Sequence, residues 1–270
     1  MSSDADEPAL PHADRVAVIV GGSSGIGLGI ARALARDGCR TILTGRDTEK
    51  SRQAADTVPG ATSFSPCDVR EQRTVTALFE HAAETFGRVD MVVISAGIGR
   101  SETATRFLPQ PVSQLSESEW DTVMNTNLRG AFRVCREAVP LMLRQRSGQI
   151  VNVSSARGAL RGQPFGAPYC ASKMAVRILF HSLAAELKPL GIRAFSVLPD
   201  AVATDLIAGT NLTHRGATTP DEIGLFVAQL LALPADTVVE DAVFAPLRPP
   251  RKGAEREGTR RAEESNDAPT

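Results

Sequence analysis

A glycine loop set between a strand and a helix constrains this chain more than any other feature. Residues 15–20 (RVAVIV) are a short apolar run rich in Val, the pattern of a buried parallel strand. Gly21-Gly22-Ser23-Ser24-Gly25-Ile26-Gly27 follows at once, and a helical pattern then runs over 28–37 and closes at Gly38. Glycine tolerates positive φ and lets the backbone come close to a pyrophosphate, while the opening helix offers free N–H groups and the positive end of its dipole. The spacing is Gly21-x-x-x-Gly25-x-Gly27 and not G-x-G-x-x-G, because Ile30 holds the last glycine position.

The chain goes on alternating in the same way. A second strand, 40–44 (RTILT), ends in Gly45-Arg46-Asp47. In dinucleotide folds an acid at this point takes the ribose hydroxyls, and a nearby Arg suits a 2′-phosphate instead. Gly45 stands where the acid is expected and Arg46 follows it, whereas Asp47 fits better as the N-cap of a helix opening at Thr48-Glu49-Lys50. The pattern favours NADP over NAD. Residues 61–66 are a third strand leading into Cys67-Asp68-Val69, where Asp68 can accept from an adenine amino group or cap a helix over 71–86. The fourth strand, 90–95, ends at Ser95 and runs into Ala96-Gly97, small enough to pass close to a ribose. Residues 97–120, with Pro109 and Pro111, read as an irregular loop over the site.

A long helix is expected from Ser116 to about Arg144, loosened late by Pro140 and interrupted at Asn125-Thr126-Asn127-Leu128-Arg129-Gly130, where poor helix formers favour a bend that binds water. Residues 149–153 (QIVNV) form a fifth strand ending at Ser154-Ser155, and an apolar helix over 174–190 precedes a sixth strand at 192–198. A helix over 220–233 and a last strand over 238–245 close the pattern. The sum is an α/β fold, a doubly wound parallel sheet of about seven strands with helices on both faces and ligands at the carboxyl ends of the strands. One domain is expected over 14–247, with a flexible leader at 1–13 and a disordered tail at 248–270, which is Pro, Arg, Glu and Gly without core-forming residues.

Composition narrows the partners. A net charge of -1 gives no electrostatic reason to expect nucleic acid or an anionic membrane. No apolar run approaches the roughly 18 residues of a membrane span, and the polar, acidic start is no secretory signal. Cys39, Cys67, Cys135 and Cys170 are dispersed with no C-x-x-C pair, which argues against a metal site and for reduced thiols in the cytoplasm.

Tyr169 and Lys173 stand four residues apart, so on a helix both side chains point into one space. A free phenol has a pKa of about 10, and a neighbouring cation lowers it into a usable range for proton transfer. The pair alone is common by chance. Its setting is not. Gly21-x-x-x-Gly25-x-Gly27, Asp68-Val69, Ala96-Gly97, Asn127, Ser155, Tyr169-x-x-x-Lys173 and Pro199-x-x-Val202-x-Thr204 occur in order over roughly residues 13 to 247. In this the chain resembles the short-chain dehydrogenase/reductase family, a single-domain Rossmann family.

The resemblance implies roles position by position. Tyr169 would be the general acid or base at a carbonyl or alcohol oxygen. Lys173 would hold the nicotinamide ribose and lower the Tyr169 pKa. Ser155 would donate to the substrate oxygen, and Asn127 would hold a water linking Lys173 to solvent. Gly21, Ser23, Ser24, Gly25, Ile26, Gly27, Arg46, Asp68, Val69, Ser95, Ala96, Gly97, Pro199, Val202 and Thr204 would line the cofactor with Tyr169 and Lys173. The implied activity is NADP(H)-dependent interconversion of a carbonyl, whether ketone, aldehyde or 3-oxoacyl compound, and its alcohol. The alternatives are an NAD-linked alcohol dehydrogenase and a non-catalytic cofactor-binding sensor. A homodimer or homotetramer built on the helices at 117–144 and 168–189 is also implied, as is a short substrate lid over 205–219 containing His214 and Arg215. Four departures stand against the family pattern. Val20 replaces a Thr, and Ile94-Ser95 replaces Asn-Asn, so a different anchorage of the glycine loop is expected. Asp200 replaces the Gly after Pro199, as a solvated loop residue, a contact for a polar substrate, or a cost to cofactor binding. Ser155 stands one residue further from Tyr169 than the family spacing, which leaves Ser154 as a stand-in.

Overall fold

The structure, a computed structural model, describes residues 10–60, 62–99, 111–164, 166–207 and 217–245. Among these, the strands are β1 (Val16–Val20), β2 (Arg40–Gly45), β3 (Thr62–Pro66), β4 (Met91–Ile94), β5 (Gly148–Val153), β6 (Ile192–Pro199) and β7 (Asp241–Phe244). All pair in parallel in one seven-stranded sheet of order β3-β2-β1-β4-β5-β6-β7. The order reverses between β1 and β4, and that is where loops diverge to leave a crevice.

The alternation of side chains along β1 divides the core in two. Ala17 and Ile19 pack under α1 (Gly25–Arg36) and α7 (Pro220–Ala232), with Ile30, Leu34, Val227 and Leu231. Val18 and Val20 face the opposite layer, α3 (Gln72–Phe86), α5 (Gly130–Gln145) and α6 (Ala167–Leu187), with Leu78, Val134 and Phe180. Every residue of β1 is therefore apolar and buried, as a strand covered on both faces requires. Two shorter helices complete the set, α2 (Thr48–Asp56) and α4 (Glu117–Met124).

Helix ends follow local chemistry. The Asp47 carboxylate caps α2 by accepting from the Lys50 N–H at 3.0 Å, as expected. Ser116 and Glu119 form a capping box on α4, and Thr219 and Glu222 form one on α7. The helix expected from Ser116 onward is interrupted where its Asn residues stand: a π turn, Asn125–Arg129, joins α4 to α5. The helix bearing Tyr169 runs from Ala167 to Leu187, close to the 168–189 that the resemblance implies and ahead of the apolar run at 174–190, with Pro168 in its first turn. The contact between α1 and α7 is made by backbone. A Cβ on Gly29 would overlap the Pro220 carbonyl, and one on Gly224 would overlap the Gly29 carbonyl.

The last residues of the stretch expected as a leader, 1–13, pack on the domain. Residues 11–14 form a turn that docks against the end of α1, and His12 is fully buried with Nε2 2.9 Å from the Ala228 carbonyl. Residues 1–9 and the expected tail at 248–270 lie outside the described residues, as do residues 100–110 of the 97–120 loop and the expected lid positions His214 and Arg215. No helix of the described residues is long and apolar enough to cross a membrane.

Burial, chiefly, holds the His12 imidazole below its ordinary pKa. The unfolded chain takes up its proton near pH 6.5 and the folded chain resists, so this contribution is complete above about 6.5 and is lost as pH falls below it. Urea unfolding of the wild type and His12→Gln from pH 7.5 to 5 should give curves that converge on acidification. Parallel curves would mean that His12 titrates alike in both states.

Candidate active site

The glycine loop is held at the switch point by backbone. The Val20 carbonyl accepts from Ser95 N–H at 2.8 Å and Ala96 N–H at 2.9 Å. Gly21 turns away at φ +82°, and a Cβ there would lie 2.6 Å from Ala96 N. With Val20 and Ile94-Ser95 at its base, the loop is also anchored by Thr44. This buried β2 hydroxyl accepts from Gly21 N–H at 3.3 Å, while the Thr44 carbonyl accepts from Gly22 N–H at 2.9 Å. Ser24 is the N-cap of α1 and its hydroxyl caps nothing, so Ser23, Ser24 and the first turn of α1, Gly25-Ile26-Gly27, present a cradle for an anion. Gly25, at φ +54°, faces Thr204: a Cβ on it would lie 3.2 Å from the Thr204 methyl. Val202 pairs with Thr218 in an isolated parallel bridge, and Ala203 N–H donates to the Thr218 carbonyl, so the described residues on either side of 208–216 are joined.

Tyr169, Lys173 and Ser155 meet at the carboxyl end of β5. Tyr169, the only tyrosine of the chain, is hydrogen-bonded to Ser155. Ser155 Oγ also accepts from Gly158 N–H at 3.1 Å. Ser154 points elsewhere, its Oγ donating to the Lys173 carbonyl at 3.2 Å, so Ser155 is the hydroxyl that faces the phenol. The extra residue between Ser155 and Tyr169 is taken up by a second π turn, Arg157–Arg161. Lys173 Nζ is buried and donates to the Val153 carbonyl at 2.9 Å. Burial brings its pKa down to about 8, so it remains a cation at neutral pH.

The expected depression of the Tyr169 pKa by Lys173 is not what the geometry gives. Nζ lies 5.9 Å from the ring centroid, and burial, opposed by the Ser155 hydrogen bond, raises the phenol above its ordinary value. Asn127 is held by three side-chain hydrogen bonds. Its side chain accepts from Ile98 N–H at 2.8 Å and donates to the Ile98 carbonyl and to Ser172 Oγ, each at 2.9 Å. Its amide therefore pins the Gly97-Ile98 turn and has no N–H left for a water. Gly97 leaves room for both neighbours, since a Cβ there would lie 3.2 Å from Lys173 Nζ and 3.3 Å from Asn127 Oδ1.

Asp68 does not cap α3, whose N-cap is Glu71. Both of its oxygens accept from the Arg70 guanidinium, and Oδ1 also accepts from Arg70 N–H at 2.9 Å. Burial alone would raise the Asp68 pKa, but the Arg70 bonds outweigh it and the carboxyl sits below its usual range. Arg46 is exposed beside this group, just past β2. Asp200 is not a solvated loop residue: Arg157 Nε donates to Oδ1 and Nη2 to Oδ2, and the carboxylate is 11% exposed. Arg157, Thr44 and Ser172 carried no weight in the sequence, where nothing marks which distant group each one meets.

The sequence pattern of the family described as short chain dehydrogenase matches residues 15–214. The chain belongs to the short-chain dehydrogenase family. It is similar to an uncharacterized oxidoreductase of Staphylococcus aureus strain USA300, 31% identical over 235 residues, which are 87% of this chain and 98% of that one. Among solved structures, a metagenomic short-chain oxidoreductase in complex with NADP superposes with TM-score 0.75 at 29% identity, over 88% of this chain and 100% of the other. A 3-ketoacyl-(acyl-carrier-protein) reductase from Brucella melitensis complexed with NADH gives TM-score 0.78 at 28% identity, over 86% and 96%. This short-chain dehydrogenase is accordingly an oxidoreductase of its family, with the expected Rossmann sheet.

A single tyrosine makes its phenol directly measurable. Near-ultraviolet difference absorbance of this short-chain dehydrogenase should show Tyr169 ionising above about 10, the value of a free phenol. A midpoint below that value would mean that the Lys173 charge outweighs burial.

Proposed function

We propose that this chain is an NADP(H)-dependent oxidoreductase that interconverts a carbonyl compound and its alcohol, with Tyr169 as the general acid/base. The observation that carries the reading is the meeting of Ser155, Tyr169 and Lys173 at the end of β5, next to the Gly97 turn and across the crevice from the glycine cradle. The cradle fits a dinucleotide because its glycines let the loop fold tightly on itself and on the β4 turn, where a Cβ on Gly21 or Gly27 has no room, and so bring the open N-terminus of α1 to the crevice. A bound nicotinamide supplies the hydride. Lys173, a buried cation, would hold ribose hydroxyls, and Asn127 keeps the turn beneath them in place. Ser155 would donate to the substrate oxygen, and Tyr169 would protonate it. A phenol raised by burial stays protonated at neutral pH, which suits the reductive direction.

The choice of NADP rests on the end of β2. Gly45 stands where NAD enzymes carry the acid that takes the ribose hydroxyls, and a side chain there would first have to displace the Ser51 and Ser23 hydroxyls, 2.5 and 2.8 Å from its Cβ. Arg46 and the Ser23 hydroxyl stand at this point in its place, suited to a 2′-phosphate. The NADP-bound relative agrees, while the NADH-bound one keeps NAD as the second reading. The exposed Phe132 of α5 and the exposed Met174 and Ile178 of α6 support a homo-oligomer built across these helices.

Assay of the purified protein with NADPH or NADH and a panel of ketones, aldehydes and 3-oxoacyl esters tests the reading. Tyr169→Phe should lose at least about a hundredfold in kcat/KM while still binding NADPH. Arg46→Ala should shrink the preference for NADPH over NADH by about tenfold or more. NADPH binding without turnover by the wild type across the whole panel would instead favour a cofactor sensor.

A further inference from the structure

We propose that the ion pair between Arg157 and Asp200 is a positioning clamp that ties the turn holding Ser155 and Tyr169 to the loop that closes on the glycine cradle. The inference rests on the active-site reading above and extends it to two residues that touch neither reacting group.

The clamp follows from what each partner is attached to. Arg157 opens the π turn Arg157–Arg161. The next residue, Gly158, donates its N–H to Ser155 Oγ at 3.1 Å, and Ala159 N–H donates to the Ser155 carbonyl at 2.8 Å. The same turn lies against the tyrosine, since a Cβ on Gly158 would sit 2.9 Å from Tyr169 Cε1. This turn therefore sets the hydroxyl and the phenol together.

Asp200 follows Pro199, the last residue of β6, and its N–H donates to the Phe244 carbonyl of β7 at 2.7 Å, which fixes its backbone to the sheet. Four residues on, Thr204 packs against Gly25 in the cradle, and Ala203 N–H donates to the Thr218 carbonyl at 2.8 Å. Among the described contacts, the Arg157–Asp200 pair is the side-chain link that closes a ring from Gly25 through Thr204, Asp200 and Arg157 to Ser155 and Tyr169.

The burial of the pair is what gives it consequence. Asp200 is 11% exposed and Arg157 29%, so removal of one partner leaves a charge partly cut off from water. A glycine at position 200, as the family pattern has, would leave the Ser155 turn without this link. The departure from pattern and the Arg two residues after Ser155 are thus two halves of one feature, which also accounts for a largely buried carboxylate just past β6: Arg157 balances its charge.

Amide hydrogen exchange and NADPH fluorescence titration on Arg157→Gln, Asp200→Asn and the swapped double variant Arg157→Asp with Asp200→Arg test the clamp. Each single variant should speed exchange in both 156–161 and 201–204, and should weaken NADPH binding by about tenfold. The swap should recover a large part of both. A merely local role would loosen one segment only and would show no recovery in the swap, and either result overturns the proposal, as does unchanged exchange in the single variants. If the wild type binds no nicotinamide dinucleotide at all, the functional reading fails, while the exchange measurements still decide whether the two loops are clamped. A full loss of exchange protection in all three variants would report unfolding. In that event the conservative Arg157→Lys decides, since a clamp predicts partial protection in both segments and a purely structural contact predicts wild-type protection in 201–204.

Discussion

Two stretches of backbone touch at Gly21 and Ala96, and the site depends on that contact. It lies where β1 and β4 are neighbours and the order of strands reverses, so the loops leaving the two strands part in opposite directions. The Val20 carbonyl accepting two N–H groups from the β4 loop fixes their separation. With a side chain at Gly21 the two loops would be forced apart, and the cradle and the Gly97 turn would no longer share a wall.

Against this backbone frame the chemistry is placed by burial. Lys173 is a cation with little solvent, held by a carbonyl, and its pKa falls to about 8 as a result. Tyr169 is pushed the other way, so the charged amine and the neutral phenol are kept side by side over the neutral range. The two shifts have one cause acting on groups of opposite charge type. It follows that the same desolvation keeps the proton on the phenol and loosens it from the amine, a division that exposure of either group to water would undo.

Local features were legible in the sequence and long-range pairings were not. The Asp47 cap, the helix start at Ser116 and the Asn-rich interruption of a helix are each written within a few residues, and each took the expected form. The facing of Ser155 and Tyr169 could be anticipated from family order, but the π turn that absorbs their odd spacing could not. The Thr44 hydroxyl on Gly21, the Arg157–Asp200 pair and the His12 contact with Ala228 join residues 23, 43 and 216 positions apart. Such pairs are set by which strand lies beside which, and single positions carry no trace of it. For Tyr169 the sequence named the neighbour that would lower its pKa but could not weigh that neighbour against burial.

The glycine contact between α1 and α7 bears on how this protein can be improved. Replacing helical glycines with alanine is an ordinary route to greater stability, because alanine restricts the unfolded chain and favours the helix. At Gly29 and Gly224 that route is closed, since the added methyl would land on the carbonyl of the other helix. A stabilised variant must gain its free energy elsewhere, at exposed sites such as Leu225 on the outer face of α7, and leave these two absences as they are.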